Sequence, residues 1–207
     1  MLIKCFAGIH QPDTGHLYWR GRPVRIRHPA DASAVGIATA YQDLALCNNL
    51  DVVQNLFLGR ELTRAGVLDE AGMELAAEQT MQRLSVTTLD SLHRKVGSLS
   101  GGQRQAVAIA KALLWQAKLV ILDEPTAALG VAQTRTVLEL VRRLADNGIA
   151  VLMISHNMPD VFRTADRIAV LYMGRLVAAR PTSQFDTQTV VSLMTWGTAV
   201  DRGAVEV

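Results

Sequence analysis

Short apolar runs that alternate with helical segments are the feature that most constrains this fold. Three runs, at 37–41, 119–122 and 149–154, are only a few residues long and contain no charged side chain. Strands that are buried on both faces have this pattern. The first two runs are followed, directly or after a loop, by residues with helical periodicity, and a helical segment also precedes the third run. The alternation predicts an α/β fold with a mainly parallel sheet.

Helical segments fill most of the chain around these runs. Apolar residues at helical spacing, with Asp51 as an N-cap and glycines as stops, mark the ends of these segments. From Asp51 to Leu84 the pattern is helical and not strand-like, so we expect a helical subdomain, at about 51–100, inserted into the α/β core of a single domain, 1–207. The predicted helices cover residues 2–7, 29–35, 52–58, 70–84, 103–116, 131–145 and 186–194. The additional predicted strands cover 16–20 and 24–26, with a hairpin over 167–172 and 175–179.

Composition excludes several classes of protein. The 21 Lys and Arg residues against 19 Asp and Glu give a net charge of +2. Only the short Arg20–Arg27 cluster is markedly basic, so nucleic acid is not an expected partner. No apolar run approaches the roughly 18–20 residues that span a bilayer, and Cys5 and Cys47 lack metal-site spacing and are expected to be reduced thiols. The apolar content of 49% suggests that part of the surface meets a partner.

Two adjacent acids follow the apolar run at 119–122. Asp123 and Glu124 stand at the carboxyl end of this predicted strand, where open α/β sheets bind ligands. One acid in this place can hold Mg²⁺, and the next can accept a proton from an attacking water. A strand-end turn with solvated acids before Pro125 explains the same pattern. These residues alone leave both interpretations open.

A Ser-Gly-Gly-Gln sequence leads into the predicted helix at 103–116. Ser100 is a natural N-cap, and Gly101 and Gly102 let the backbone approach a ligand closely. The free N–H groups and the dipole of a helix start can bind an anion. The alternative is a plain capped helix that follows a loop.

Two further polar residues stand at strand ends. Gln42 follows the run at 37–41, where its amide can ligate Mg²⁺ or orient a water, or where it is simply a loop residue. His156 follows the run at 149–154, where its imidazole can bond a phosphate oxygen or cap the next turn. Neither residue decides between its two interpretations.

Together, the four features have a specific order and spacing. Asp123 lies 20 positions after Gln103, and His156 lies 32 positions after Glu124. This arrangement resembles the ATP-binding cassette family of transport ATPases, and the match covers essentially the whole chain. The phrases Ala-Gly-Ile-His-Gln-Pro-Asp-Thr-Gly (7–15) and Glu-Pro-Thr-Ala-Ala-Leu-Gly (124–130) resemble those of bacterial monosaccharide importers.

The resemblance implies a P-loop NTPase-like fold and a role for each motif. Gln42 would be the Q-loop residue, and Ser100–Gln103 would be the signature that binds the partner cassette's nucleotide in trans. Asp123 would be the Walker B metal ligand, Glu124 the general base and His156 the switch histidine. The expected cofactors are ATP and Mg²⁺.

The resemblance also implies partners and a location. The chain would hydrolyse ATP to energise sugar import through a membrane permease. Two cassettes would pair head to tail, and Gln42 with the helical insertion would contact the permease. A periplasmic sugar-binding protein would act indirectly. The chain would then be cytoplasmic and peripheral, on the inner face of the membrane.

One family motif is absent from the sequence as it stands. The family's G-x-x-G-x-G-K-[ST]-T loop would fall immediately before Leu2, with Met1 at the place of its final threonine. We therefore expect an N-terminally truncated fold that lacks the phosphate-binding lysine. It would also lack the strand between the Walker B and switch strands, which would leave unpaired N–H and C=O groups on both.

Three functions remain open at this point. The first is an ATP-hydrolysing transport subunit. The second is a cassette that does not bind ATP itself and lends its signature, Ser100–Gln103, in trans to an intact partner. The third is a truncated gene product without function.

Overall fold

The computed structural model describes residues 1–41, 43–84, 86 and 89–198. The chain divides into two units, the first Met1–Ile154 and the second from Ser155 onward. The first unit contains α1 (Leu2–Phe6), β1 (Leu17–Trp19), β2 (Arg22–Val24), α2 (Pro29–Val35), β3 (Ile37–Ala40), α3 (Val52–Phe57), β4 (Thr63–Arg64), β5 (Val67–Leu68), α4 (Glu70–Arg83), α5 (Gly101–Leu114), β6 (Leu119–Asp123), α6 (Val131–Asp146) and β7 (Ala150–Ile154). The second contains α7 (Met158–Thr164), β8 (Arg167–Tyr172), β9 (Arg175–Pro181) and α8 (Thr187–Trp196).

A parallel three-stranded sheet organises the first unit. Its strand order is β3-β6-β7, so β6 lies in the middle. Ala40 pairs with Leu122, and Asp123 pairs with Ile154, which brings the carboxyl ends of all three strands to the same edge. The predicted α/β fold with a mainly parallel sheet and small hairpins is confirmed.

The expectation of unpaired groups between two strands is wrong. We expected an absent strand to separate the run at 119–122 from the run at 149–154. In the structure β6 and β7 pair directly over five residue pairs, from Leu119 with Ala150 to Asp123 with Ile154. The central strand β6 therefore has a paired neighbour on each edge, β3 on one and β7 on the other, and no gap separates it from β7.

Helix α5 lies at the centre of the main core. Val107, Ile109 and Ala110 are completely buried, because the helix is covered by β3 and by helices α3, α4 and α6. Within the stretch 51–100, α3 and α4 pack on each other and on α5. The same stretch contains the small exposed hairpin β4–β5, which the sequence did not predict.

The second unit is a hairpin with a helix on one face. Strands β8 and β9 pair antiparallel, as predicted, and α8 packs on β8. Ile168 and Val170 on the hairpin and Val190 and Leu193 on the helix are buried. Helix α7 was not predicted. Among the described residues, no helix combines the length and the apolar character that a bilayer crossing requires.

Candidate functional site

The acidic pair stands at the carboxyl end of the central strand. Asp123 is the last residue of β6 and is half-buried, and Glu124 is the first residue beyond it. Glu124 has a φ of +49°, a left-handed conformation that is uncommon for a residue with a side chain. Its N–H donates to the carbonyl of Ile154 at 2.9 Å, and its own carbonyl accepts from the N–H of Ala127 at 3.1 Å. These two bonds hold the backbone of Glu124 in one orientation.

Tyr41 lies beside the first of these acids, at the end of the neighbouring strand. Burial is the main cause that raises the pKa of the Tyr41 hydroxyl, and the negative charge of Asp123 raises it further. A hydrogen bond with Thr39 opposes this shift. Tyr41 ends the run at 37–41, but its sequence position alone did not indicate a site residue. Gln42, which follows it, lies outside the described residues.

The signature segment forms the start of a buried helix, and the predicted N-cap at Ser100 is confirmed. The Ser100 hydroxyl accepts from the N–H of Gln103 at 3.3 Å, and the Gln103 side chain accepts from the N–H of Ser100 at 2.9 Å. This reciprocal capping box has the sequence signal Ser-x-x-Gln, in addition to the N-cap serine that was predicted. Within the described part of the chain, the N–H groups of Gly101 and Gly102 have no hydrogen bond. The dipole of the 14-residue α5 adds positive potential there.

The two signature glycines face helix α6. A Cβ on Gly101 would lie 2.7 Å from Cδ2 of Leu129, and a Cβ on Gly102 would lie 3.2 Å from Cβ of Gln133. The absence of side chains therefore lets the start of α5 approach the start of α6. Since Leu129 and Gln133 follow Glu124 closely in the chain, this packing connects the signature to the segment behind the acidic pair.

His156 belongs to the second unit, where its side chain is exposed. It stands immediately before Asn157, the N-cap of α7, whose side chain accepts from the N–H of Asp160 at 3.3 Å. The N–H of Asn157 donates to the Ser155 hydroxyl at 3.0 Å. The residues on both sides of His156 are thus fixed by capping bonds.

A cavity of about 280 Å³ lies beside β3, between α2, α5 and the residues after α3. Two cations line it. Burial lowers the pKa of the Lys111 ammonium. The Arg60 guanidinium donates to the Ser33 hydroxyl at 3.2 Å and lies 5.0 Å above the ring of Trp115. None of the described residues that line the cavity is acidic.

Comparison with known proteins identifies relatives over almost the full chain. The family model described as ABC transporter matches residues 1–127. A fructose import ATP-binding protein, FrcA of Rhizobium meliloti, is 40% identical over 99% of this chain and 81% of its own length. The xylose/arabinose import ATP-binding protein XylG of Sulfolobus acidocaldarius is 41% identical over 94% of this chain and 77% of its own. The ribose import ATP-binding protein RbsA of Chromobacterium violaceum is 41% identical over 93% of this chain, but only 38% of the relative is matched.

Solved structures have the same fold. A nucleotide-free ATP-binding cassette from an ABC transporter superposes with a TM-score of 0.76 at 26% identity, over 87% of this chain and 75% of the other. The ADP conformation of MJ1267, an ATP-binding cassette of an ABC transporter, gives a TM-score of 0.76 at 25% identity, over 93% of this chain and 78% of the other.

Proposed function

This chain belongs to the ABC transporter family, and from that membership we propose that it is the ATP-hydrolysing subunit of a sugar importer. The observation that carries the proposal is the edge of the sheet at β6. There the acidic pair follows the central strand, and the segment behind it packs against the capped start of α5. Relatives that are 40% and 41% identical bear the names of fructose and xylose/arabinose import proteins, which supports a monosaccharide as the transported substrate.

In this proposal the acidic pair carries the hydrolytic chemistry. Glu124 accepts a proton from the water that attacks the γ-phosphate, a role in which a positioned carboxylate contributes about 10²–10⁴-fold to the rate. Asp123 supplies a carboxylate for Mg²⁺, which is usually bound through one or two carboxylates together with waters and substrate phosphates. Among the described residues, no group of three or more His, Cys, Asp or Glu side chains could enclose a metal. The single carboxylate of Asp123 fits the magnesium mode, and Mg²⁺ would neutralise charge on the phosphates.

The start of α5 would act on a second cassette. The N–H groups of Gly101 and Gly102 and the exposed Ser100 hydroxyl can donate to the γ-phosphate oxygens of a nucleotide on the partner cassette. Two cassettes in head-to-tail contact would each complete the other's site. His156 would donate to a phosphate oxygen, and Gln42 would reach the metal or the attacking water; both roles follow from the family resemblance.

The permease would dock beside β3. The cavity there is bordered by Tyr41, the residue before Gln42, and by Leu58 and Arg60 from the helical stretch 51–100. A permease segment in this groove would contact both the site's edge and the proposed helical subdomain. The chain would then lie on the cytoplasmic face of the membrane, and the periplasmic sugar-binding protein would act on it only through the permease.

The test is ATP hydrolysis and sugar uptake by the chain assembled with its permease in proteoliposomes. We expect Glu124→Gln to slow phosphate release about 10²–10⁴-fold relative to the unchanged assembly. Glu139→Gln is the matched control, because Glu139 is an exposed acid on α6. In the ion pairs of the described residues it occurs once, with the neighbouring Arg135.

A second pair of variants tests the action in trans. Ser100→Arg should abolish turnover by obstructing the partner's nucleotide, whereas Ser183→Arg, at an exposed position in the second unit, should not. A Glu124→Gln assembly that hydrolyses ATP at the wild-type rate would refute the proposed base. Full activity in Ser100→Arg would refute the role of the signature in trans.

A further inference from the structure

Positive charge is concentrated in the segment 16–27, which comprises the β1–β2 hairpin and the residues that flank it. Residues 16–27 contain four of the chain's 21 Lys and Arg residues and no acid. Without these four arginines, 17 basic residues would stand against 19 acidic ones, a balance of −2. The net charge of +2 therefore depends on the segment 16–27, and the rest of the chain is slightly acidic.

The turn of the hairpin presents its charges to solvent. Arg20 and Gly21 form the two-residue turn, with φ of +52° and +75°, between the paired residues Trp19 and Arg22. Positive φ at both turn positions is typical of the tight turns that match the twist of a hairpin. Arg20, Arg22 and Arg25 are all exposed. None of the ion pairs that occur among the described residues involves any of these three.

The two faces of the hairpin differ. Leu17, Trp19 and Val24 pack inward, against the apolar cluster that includes Ile26 and Ile37. The cross-strand pair Tyr18 and Pro23 occupies the opposite face. Tyr18 is 66% exposed, so its ring is available to a partner. Arg22 is the cross-strand partner of Trp19 and therefore lies on the Trp19 face, where it is exposed at the end of the strand beside the turn. The Tyr18 ring on one face and Arg20 and Arg22 at the turn are thus all open to solvent, and the ion pairs among the described residues give neither arginine an acidic partner.

We propose that this hairpin binds a membrane surface that carries anionic phospholipid headgroups, through Arg20, Arg22, Arg25 and Tyr18. Arginine side chains are attracted to the negative surface potential of such a bilayer. Tyrosine favours the boundary between headgroups and acyl chains, because its ring is apolar and its hydroxyl remains hydrated. The inference goes beyond the proposed function, because it requires neither nucleotide nor permease.

The dimensions of the hairpin favour a membrane over nucleic acid. Each strand has three residues, which is about 10 Å of chain. A duplex repeats its backbone over about 34 Å, so this short patch reaches few phosphates, and the rest of the chain is slightly acidic. The headgroups of a bilayer surface are mobile and not fixed at a regular spacing. Arg20 and Arg22 at the turn and Arg25 just after β2 can therefore all be neutralised at once.

The experiment measures flotation of the purified chain with phosphatidylcholine vesicles, with and without phosphatidylglycerol. We expect binding only to the vesicles that contain phosphatidylglycerol, and weaker binding as salt increases. Replacing all three arginines by glutamine should weaken this binding about 100-fold, because each arginine near an anionic surface contributes roughly fivefold. Tyr18→Ala should weaken it further by a few-fold.

The matched control removes the same charge elsewhere. Arg163, Arg167 and Arg175 are exposed residues of the second unit, and their triple change to glutamine should leave binding unchanged. Equal loss in both triple variants, or equal binding to both vesicle types, would overturn the proposal. Tighter binding to a DNA duplex than to the anionic vesicles at the same salt would overturn it in favour of nucleic acid. If the triple variant does not fold, two other measurements test whether the hairpin binds anionic headgroups. They are vesicle binding by single changes at Arg22 and at Arg25, and the salt titration of the unchanged chain.

Discussion

Asn55 holds the segment that follows β3 onto α3. Its side chain is completely buried. The side-chain oxygen accepts from the N–H of Cys47 at 2.7 Å, and the side-chain nitrogen donates to the carbonyls of Cys47 at 2.9 Å, Leu50 at 3.3 Å and Asp51 at 2.9 Å. One amide thus satisfies four backbone groups within a span of five residues.

The change Asn55→Ala removes all four bonds. The N–H of Cys47 loses its acceptor, and an unsatisfied buried donor costs about 1–3 kcal/mol. The three carbonyls each lose one donor but keep another bond along the chain, since Leu50, for example, also accepts from the N–H of Val96. We assign these losses about 0.5 kcal/mol each, at the low end for a hydrogen bond. The total is about 3 kcal/mol, a large share of the roughly 5–15 kcal/mol that stabilises a typical protein.

Thermal unfolding measures this loss. In a protein of this size 1 kcal/mol corresponds to about 2–4 °C, so Asn55→Ala should lower the melting temperature of the first unit by about 6–12 °C. Hydrogen exchange should also become faster at residues 47–51 and at the N–H groups of Val96 and Gly97, which donate to Leu50 and Asn48.

Asn147→Ala is the control for this prediction. Asn147 is exposed, and its side chain makes one bond, to the carbonyl of Arg143. We expect its melting temperature to remain within about 2 °C of the wild type, since such a bond contributes about 0.5 kcal/mol. If Asn55→Ala melts like Asn147→Ala, the four bonds do not stabilise the fold in the way derived from the structure.

Two further changes test the packing of α5 and the charge in the cavity. Gly102→Val should lower the free energy of unfolding by about 1–3 kcal/mol in denaturant titration, because its Cβ would lie 3.2 Å from Cβ of Gln133; an unchanged midpoint would contradict the close approach of α5 and α6. Lys111→Met should raise the melting temperature at neutral pH. Burial lowers the pKa of Lys111 in the folded state below the ordinary 10.5, so between those two pKa values the unfolded chain binds more protons and stability rises with pH. The difference in melting temperature between Lys111→Met and the wild type should therefore decrease as the pH approaches 10.5. A difference that does not change with pH would refute the explanation by burial of the ammonium group.

Local signals in the sequence predicted most helices and strands. The prediction for α2, 29–35, coincides with the structure because Pro29 starts the helix and Gly36, with a φ of +88°, ends it. Asp51 caps α3 as predicted, with its side chain accepting from the N–H of Gln54. Such signals need only a few neighbouring residues, so a single sequence is sufficient to recognise them.

Elements that depend on distant partners, or that lack an apolar pattern, were missed or wrong. The pairing of β6 with β7 is a contact between residues about 30 positions apart, and the expectation of a strand between them had no local signal to oppose it. The β4–β5 hairpin is exposed throughout, so its strands lack the alternation of apolar and polar residues that would have indicated them in the sequence. Helix α7 has local signals that were passed over, a capping Asn157 and Pro159 in the first turn.

The candidate site was predicted in part. Order and spacing selected Asp123, Glu124 and the signature, but no sequence signal indicates the left-handed φ of Glu124. The sequence suggested that glycine is needed at 101 and 102 so that a ligand can approach the backbone closely. The structure shows a second reason, because a Cβ at either position would point towards the start of α6 or towards Leu129, which lies just before it. The chemical roles of Gln42, His156 and the other site residues stay predictions.

The direct contact between β6 and β7 ties the geometry of Glu124 to the spacing of the sheet. Neighbouring strands lie about 4.8 Å apart, and at that separation the carbonyl of Ile154 is within reach of the Glu124 N–H, at 2.9 Å. A further strand inserted between β6 and β7 would double the distance between these two strands and break this bond. The inserted strand would itself form backbone hydrogen bonds with β6 on one edge and with β7 on the other. The backbone of Glu124 would then lose one of the two hydrogen bonds that hold its left-handed conformation and keep the bond from the N–H of Ala127. The backbone conformation of Glu124 therefore depends on the direct pairing of β6 with β7.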